Sequence, residues 1–349
     1  MLPLNTRDAD RIRRHVAAAD AARFLHPVQR ALLHSRGWLS MLAPRAAGGA
    51  ELPLPQAVRL EEAVAAVDGS MGWVLTLCAG AGWFAGFLPP HVARDIIGTR
   101  RVCVGGSGAP TGVAEEEGDG YRITGAWDFA SGAPMATHFT LNAVLQRAGQ
   151  PLLDAQGAPR VRAFIVPAAQ VQMLPSWQCM GMRASGTHRY RIDAQWVHAD
   201  HGFTISPDAA TAPGPLYRYP FYSLADVTLS ASIAGMASHF LQLAREQIVR
   251  RKRHEVSLLD THAQALADAR IHFFAMLDSS WAQVESGKTL DAATIAAVRA
   301  ASLGLVGAAR AAVNTLYPYC GLWAAEEASP LNQVWRDFHT AAQHPLLLP

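Results

Sequence analysis

The chain has 349 residues, half of them hydrophobic and 17% charged, with a formal charge of +2. This balance excludes a disordered chain, and it excludes bulk nucleic-acid binding, which needs a strongly basic face. The four cysteines (Cys78, Cys103, Cys179, Cys320) lie far apart without a C-x-x-C pair. Neither a zinc site nor a disulfide framework is therefore expected, and the simple reading is a reduced, metal-free, cytoplasmic protein.

Residues 1–100 read as a helical domain. The opening MLPLNTRDADRIRRHV is charged and lacks the apolar stretch of a secretory leader, so no signal peptide is expected. TRDADRIRRHVAAADAARFLHPVQRALLHSRGWLSML carries Ala, Leu and Arg at helical spacing with few β-branched residues. A second helix pair follows, broken at Asp68-Gly69-Ser70, where Asp68 or Ser70 caps the next helix. That helix begins MGWVLTLCAGAGWFAGFLPP, apolar enough to border on a membrane span. Its glycines, its Pro-Pro end and the lack of flanking charge asymmetry point instead to a helix buried in a large core.

From 101 to 205 the texture changes. Short runs rich in Val, Ile, Thr, Tyr and Trp alternate with Gly, Pro and Asp, the pattern of an antiparallel barrel or sandwich. SPDAATAPGPLYRYP marks a boundary. Residues 216–349 then give four helical patterns, the third opened by an Asp291 cap, with Ala, Ser and Gly on their apolar stripes as in a close-packed bundle. The fold class is thus α+β, mainly α: an N-terminal helical domain, a central antiparallel β domain and a C-terminal four-helix bundle. The basic run RRKR (Arg250–Arg253) is either a solvated helix face or a local phosphate site.

Three segments, in this order, carry a resemblance: GYRITGAWDFASG (Gly120–Gly132), WQCMGMRASGTHRYRIDAQWVHAD (Trp177–Asp200) and the tail YPYCGLWAAEEASPLNQVWRDFHTAAQH (Tyr317–His344). Over nearly its whole length the chain resembles the acyl-CoA dehydrogenase fold, and within it the group D flavin-dependent monooxygenases, two-component hydroxylases. The resemblance implies bound FAD or FMN, delivered reduced by a separate flavin reductase, since no G-x-G-x-x-G nicotinamide fingerprint is present. It implies dioxygen as co-substrate, a C4a-hydroperoxide as oxidant, a small organic substrate that is aromatic or thioester-bound, and a place in secondary metabolism. The implied cofactor contacts are Gly106 and Ser107 of the Gly-rich stretch GGSGAPTG, Trp127, Phe129, Ala130 and Ser131 at the end of GYRITGAWDFASG, and Trp177 and Arg183. Ser131 would donate to the ring edge while Trp127 and Phe129 wall it; read without the resemblance, Trp127 and Phe129 are barrel core and Ser131 is turn chemistry. Arg253 and Gln264, eleven apart, match the pair that reaches a neighbouring subunit's flavin pyrophosphate, which implies a homo-oligomer, a dimer of dimers.

Two departures bear on the reaction. A dehydrogenase needs a carboxylate to remove the α-proton of a thioester. Its two family positions fall here on Ala328, two residues before Pro330, and near Ala225, and neither is acidic. Loss of the base suits oxygen chemistry, with His344, and next His339, as the proton-handling group of the tail and Ser131 beside the ring. Trp73 and Trp83 are expected in the substrate pocket, where relatives often carry a histidine. Two alternatives stay open: a dehydrogenase or flavin oxidase whose base is displaced to Glu326 or Glu327, and a non-catalytic homologue without flavin.

Overall fold

In the computed structural model of the chain, residues 4–250 and 256–348 are described. The N-terminal part forms α1 (Thr6–Arg13), α2 (Val16–Ala22), α3 (Pro27–Ser35), α4 (Leu54–Ala65), α5 (Gly69–Trp83) and α6 (Pro90–Ile97). The first helical stretch is interrupted twice. The first break is at Arg14 and His15 between α1 and α2; at the second, Arg23 turns into the left-handed region at φ 53° and Pro27 opens α3 behind a capping box made by His26 and Gln29. Asp68 is the cap of α5, its side chain accepting from the Met71 amide.

The apolar run of α5 is core: 83% of Gly69–Phe87 is buried within the protein. A helix apolar all round is one that is surrounded. In this core α5 and the helix of Gly235 both approach α4 to backbone contact. A Cβ on Gly72 would stand 2.5 Å from Ala65 Cα, and one on Gly235 would strike the Glu62 carbonyl. Only glycine admits that approach.

The middle part is one nine-stranded sheet of β1 (Val104–Gly106), β2 (Gly112–Glu117), β3 (Gly120–Ala130), β4 (His138–Arg147), β5 (Gln150–Pro151), β6 (Val161–Pro167), β7 (Gln172–Leu174), β8 (His188–His198) and β9 (Gly202–Phe203). The order is β7-β8-β3-β2-β4-β6-β9, with β1 and β5 also on β4. The pattern predicts antiparallel pairing throughout. Most pairs are so, but β1 and β2 both run parallel to β4, in the registers Val104↔His138 and Gly112↔Ala143. A short 3₁₀ turn at Ala133–Met135 after β3 carries the chain to the far side of β2 and so sets this direction. The sheet has its own core, with Trp127, Phe139, Phe164 and Tyr190 at its centre.

The last part is α7 (Phe221–Arg250), α8 (Val256–Glu285), α9 (Ala292–Leu316) and α10 (Pro330–Ala341). Asp291 caps α9 through the Thr294 amide, as the sequence predicts. Both helical parts share one hydrophobic core, which runs from Ile12 through α5 to Leu347. The two segments that read as separate domains therefore pack as one helical body, and the sheet leans against it.

Candidate active site

A cavity of about 700 Å³ lies where α5 and the first two turns of α7 face the sheet. That is within the usual range of small-molecule sites, ~300–1,000 Å³. One side is a rail of nearly bare backbone, Gly105–Gly108. Strand β4 holds this rail: the Ser107 amide donates to the Thr140 carbonyl (3.2 Å), the Thr140 hydroxyl to the Gly105 carbonyl (3.3 Å), and the Asn142 amide to the Gly108 carbonyl (2.8 Å). Gly106 sits at φ 154°, and a Cβ there would collide with Thr140. Gly106 and Ser107, expected at a cofactor, both line the cavity.

The end of β3 departs from simple alternation. The pairing with β8 slips between Trp127 and Ala130, a β-bulge, and Phe129 adopts φ 66°. Alternation puts Trp127, Phe129 and Ser131 on one face; the bulge separates them. Trp127 turns inward, fully buried and stacked on Tyr190 at 5.3 Å, with its indole N–H donating to the Asn142 carbonyl. It is sheet core and not a wall of the cavity, which corrects the expected cofactor role. Ala130 is likewise fully buried. Phe129 turns outward, 70% exposed, its ring edge-to-face with Trp177 at 6.5 Å. Phe129 is thus a non-glycine residue held in the left-handed region with its ring in solvent, two residues before Ser131.

Ser131 reaches the cavity. Its hydroxyl pairs with that of Thr187 (3.0 Å), and Thr187 pairs with Ser185 (2.7 Å). All three are at most 5% exposed. Three hydroxyls joined by two bonds leave one proton over. With Ser185 donating to Thr187 and Thr187 to Ser131, the spare proton points from Ser131 into the cavity. The partners Thr187 and Ser185 escape a linear reading, where they pass as turn residues of the S-G-T stretch.

The tail brings His344 into the wall. Its Nδ1 accepts from the Leu346 amide (3.3 Å), so the neutral ring keeps its proton on Nε2, and burial pushes its pKa below the ordinary histidine value. Trp73 packs edge-on against it at 5.9 Å. Arg299 fastens this tail. Its guanidinium donates to Asp226 of α7 (2.8 Å) and to the Leu346 and Leu348 carbonyls (3.3 Å each). His339 does not join His344. It lies in a separate cleft with Trp335 and Cys179, its ring 4.5 Å from Trp335 and its Nε2 buried with no hydrogen-bond partner among the described residues.

The other expected positions are placed as follows. Trp83 is 1% exposed, donates to the Leu216 carbonyl and stands one layer behind Phe84 and Phe221, which do line the cavity. It supports the pocket wall without forming it. Trp177 donates to the Met182 carbonyl at 2.8 Å. Arg183 is held away from the cavity by Glu327 (2.5 Å) and Asp20 (3.6 Å). Gln264 is on the exposed side of α8, bonded to Asp268. Arg253 lies outside the described residues. Ala225 lines the cavity and Ala328 is exposed beyond it. Glu326 and Glu327 are exposed on the loop before α10, and Arg183 holds the Glu327 carboxyl below its usual range. Neither lines the cavity, so the displaced-base alternative finds no carboxylate in place.

These residues fit a flavin ring. The glycine rail lets a flat ring approach backbone, the Ser131 hydroxyl can be aimed at its edge, and the wall is mostly apolar.

Comparison with known proteins agrees. Residues 227–349 match the family model for the acyl-CoA dehydrogenase C-terminal domain. The chain is 27% identical over 332 residues to a pigment production hydroxylase of a Rhodococcus species, covering 89% of this chain and 83% of that protein. It is 23% identical to the flavin-dependent monooxygenase oxygenase subunit HsaA of Rhodococcus jostii, covering 89% and 85%. The fold superposes on XiaF from a Streptomyces species, solved with FADH2 and glycerol, at a TM-score of 0.88 and 21% identity over 98% and 89% of the chains.

Proposed function

We infer that this chain, which belongs to the acyl-CoA dehydrogenase superfamily, is the oxygenase component of a two-component monooxygenase that uses reduced flavin from a separate reductase and dioxygen. The observation that carries the reading is the cavity itself. It has the glycine rail and hydroxyl that a flavin ring needs, and at the family's base position on α7 it has the methyl of Ala225. Among the described residues no carboxylate lines the wall to abstract an α-proton from a thioester.

Bound reduced FAD or FMN supplies the two electrons with which one oxygen atom is placed on the substrate and the other leaves as water. The protein's part is holding, drying and proton handling. Gly106 and Ser107 give the ring a backbone surface. Ser131, oriented through Thr187 and Ser185, presents a fixed donor to its edge. Phe84, Phe221 and Leu229 keep water out. His344, neutral and protonated on Nε2, presents a hydrogen-bond donor to the substrate's reacting group, and the tail anchored by Arg299 holds it there. The substrate we assign is a small aromatic compound.

Self-association is part of the proposal. Ala292–Cys320 is apolar enough to cross a membrane, yet only 33% of that window is buried, against 83% for α5 and α7. The small residues Ala300, Gly304 and Gly307 face outward on α9. A second copy laid on this face would bury it and bring Gln264, exposed on the neighbouring α8, into an interface. We place the protein in the reducing cytoplasm, on the reading that its widely spaced cysteines stay reduced.

The reading is tested by mixing flavin-loaded protein with saturated acyl-CoA thioesters under anaerobic conditions. The oxidised flavin spectrum is expected to stay unchanged; bleaching with formation of an enoyl product returns the chain to the dehydrogenases.

A further inference from the structure

We propose that the cavity selects an uncharged aromatic molecule and rejects the carboxylate and the protonated amine built on the same ring. This deepens the preceding reading and rests on the cavity being the substrate site. Among the described residues no Asp, Glu, Lys or Arg lines it. A charge taken from water into this wall would find no counter-charge, and burial without one is strongly unfavourable.

The charged groups that come near are already spent. Asp226 is the one carboxylate on the stretch of α7 that forms the wall. It is 4% exposed and bonded at 2.8 Å to Arg299 of α9. That guanidinium is in turn shared with the carbonyls of the tail. Among the described residues His344 is the single histidine in the wall; its Nδ1 is taken by the Leu346 amide, and burial holds the ring neutral. Part of the remaining polar lining is satisfied internally, while the buried Thr76 hydroxyl has no partner among the described residues and is open to a neutral hydroxyl. The Thr228 hydroxyl donates to the Leu224 carbonyl and the Asn142 amide to that of Gly108. The wall thus offers dipoles to a neutral hydroxyl but nothing to an ion.

The ring itself has a place. Thr76 and Gly80 of α5 and Phe84, its C-cap, follow one another at four-residue intervals and all line the cavity. A Cβ at Gly80 would meet nothing within 4 Å. Between Thr76 and Phe84 this leaves a notch one side chain deep, which a flat ring can fill.

The test uses 2-naphthol, 2-naphthoate and 2-naphthylmethylammonium, one ring system in three charge states. Their binding is measured by calorimetry at neutral pH on full-length protein, both flavin-free and flavin-loaded. The expected result is 2-naphthol bound tighter than either ion by on the order of 100-fold. Gly80→Arg sets a guanidinium in the notch and is expected to raise naphthoate affinity at least tenfold while weakening 2-naphthol. Gly80→Leu, which only fills the notch, is expected to weaken 2-naphthol without favouring naphthoate. The proposal is overturned by either ion binding wild-type protein within tenfold of 2-naphthol, or by no detectable 2-naphthol binding. Because the flavin-free measurement stands alone, a protein that keeps the charge selectivity yet takes up no flavin refutes the monooxygenase reading and leaves this one intact.

Discussion

Replacing Thr187 by valine keeps the shape of the side chain and removes the hydroxyl that links Ser131 to Ser185. Two buried hydrogen bonds are lost, the 3.0 Å bond to Ser131 and the 2.7 Å bond to Ser185. At about 1 kcal/mol for each, the folded state loses roughly 2 kcal/mol, which lowers the melting temperature by a few degrees in a chain of this size. A second effect separates function from stability. Without the Thr187 hydroxyl to pair with, the Ser131 hydroxyl is free to rotate away from the cavity, and one oriented hydrogen bond to the flavin edge weakens. That bond is also worth about 1 kcal/mol, so reduced-flavin affinity falls about fivefold. Anaerobic titration of reduced flavin by fluorescence reads the affinity, and thermal unfolding of the flavin-free protein reads the stability. Thr187→Ser restores the hydroxyl and is expected to recover both. If Thr187→Val loses the stability but binds reduced flavin like wild type, the hydroxyl chain is structural only and Ser131 does not face the ring.

Arg299→Met leaves Asp226 buried without its partner and frees the tail. The expected cost is roughly 1–3 kcal/mol of stability, with product formed per flavin oxidised falling more than flavin affinity, as thermal unfolding and a coupled product assay will show. Adding Asp226→Asn should restore stability but not yield. Asp337, 1% exposed, has its carboxyl pushed up to about 8 by burial, so the folded state keeps a proton that the unfolded chain has released. Its contribution to stability is therefore full below the ordinary carboxylate range and lost as pH rises through about 8. His138 and His239, pushed down to about 4 by burial, contribute in the opposite direction but only below the ordinary histidine value. Above about pH 6.5 wild-type stability is expected to fall with pH and that of Asp337→Asn to stay flatter, read by denaturant unfolding at stepped pH. Parallel curves for the two proteins would show that Asp337 titrates normally.

The fold was legible because its signals are long. Helical spacing from Phe221 to His344 and the run of short β-rich segments each extend over many residues, and the caps at Asp68 and Asp291 are local chemistry that tertiary packing leaves alone. The site was legible in part. Gly106, Ser107, Ser131 and His344 do meet at one cavity, and Ala225 stands in its wall where the base was missed. What misled the linear reading was the bulge at Trp127–Ala130. A slipped pairing cannot be seen in an alternating pattern, so Trp127 seemed to share a face with Phe129. His339 and His344 look equivalent in the tail, but α10 ends at Ala341, and the turn after it sends the two rings to different clefts. Thr187 reaches Ser131 and Arg299 reaches Asp226 across 56 and 73 residues of sequence, and spacing along a chain holds no trace of such pairs.

The central claim is that this cavity holds reduced flavin for reaction with dioxygen. Stopped-flow mixing of protein loaded with reduced flavin against oxygenated buffer tests it most directly. The account predicts a transient absorbing species distinct from both reduced and oxidised flavin, whose decay is coupled to product when an uncharged aromatic is present. Reoxidation in a single step with stoichiometric hydrogen peroxide and no such transient would contradict it.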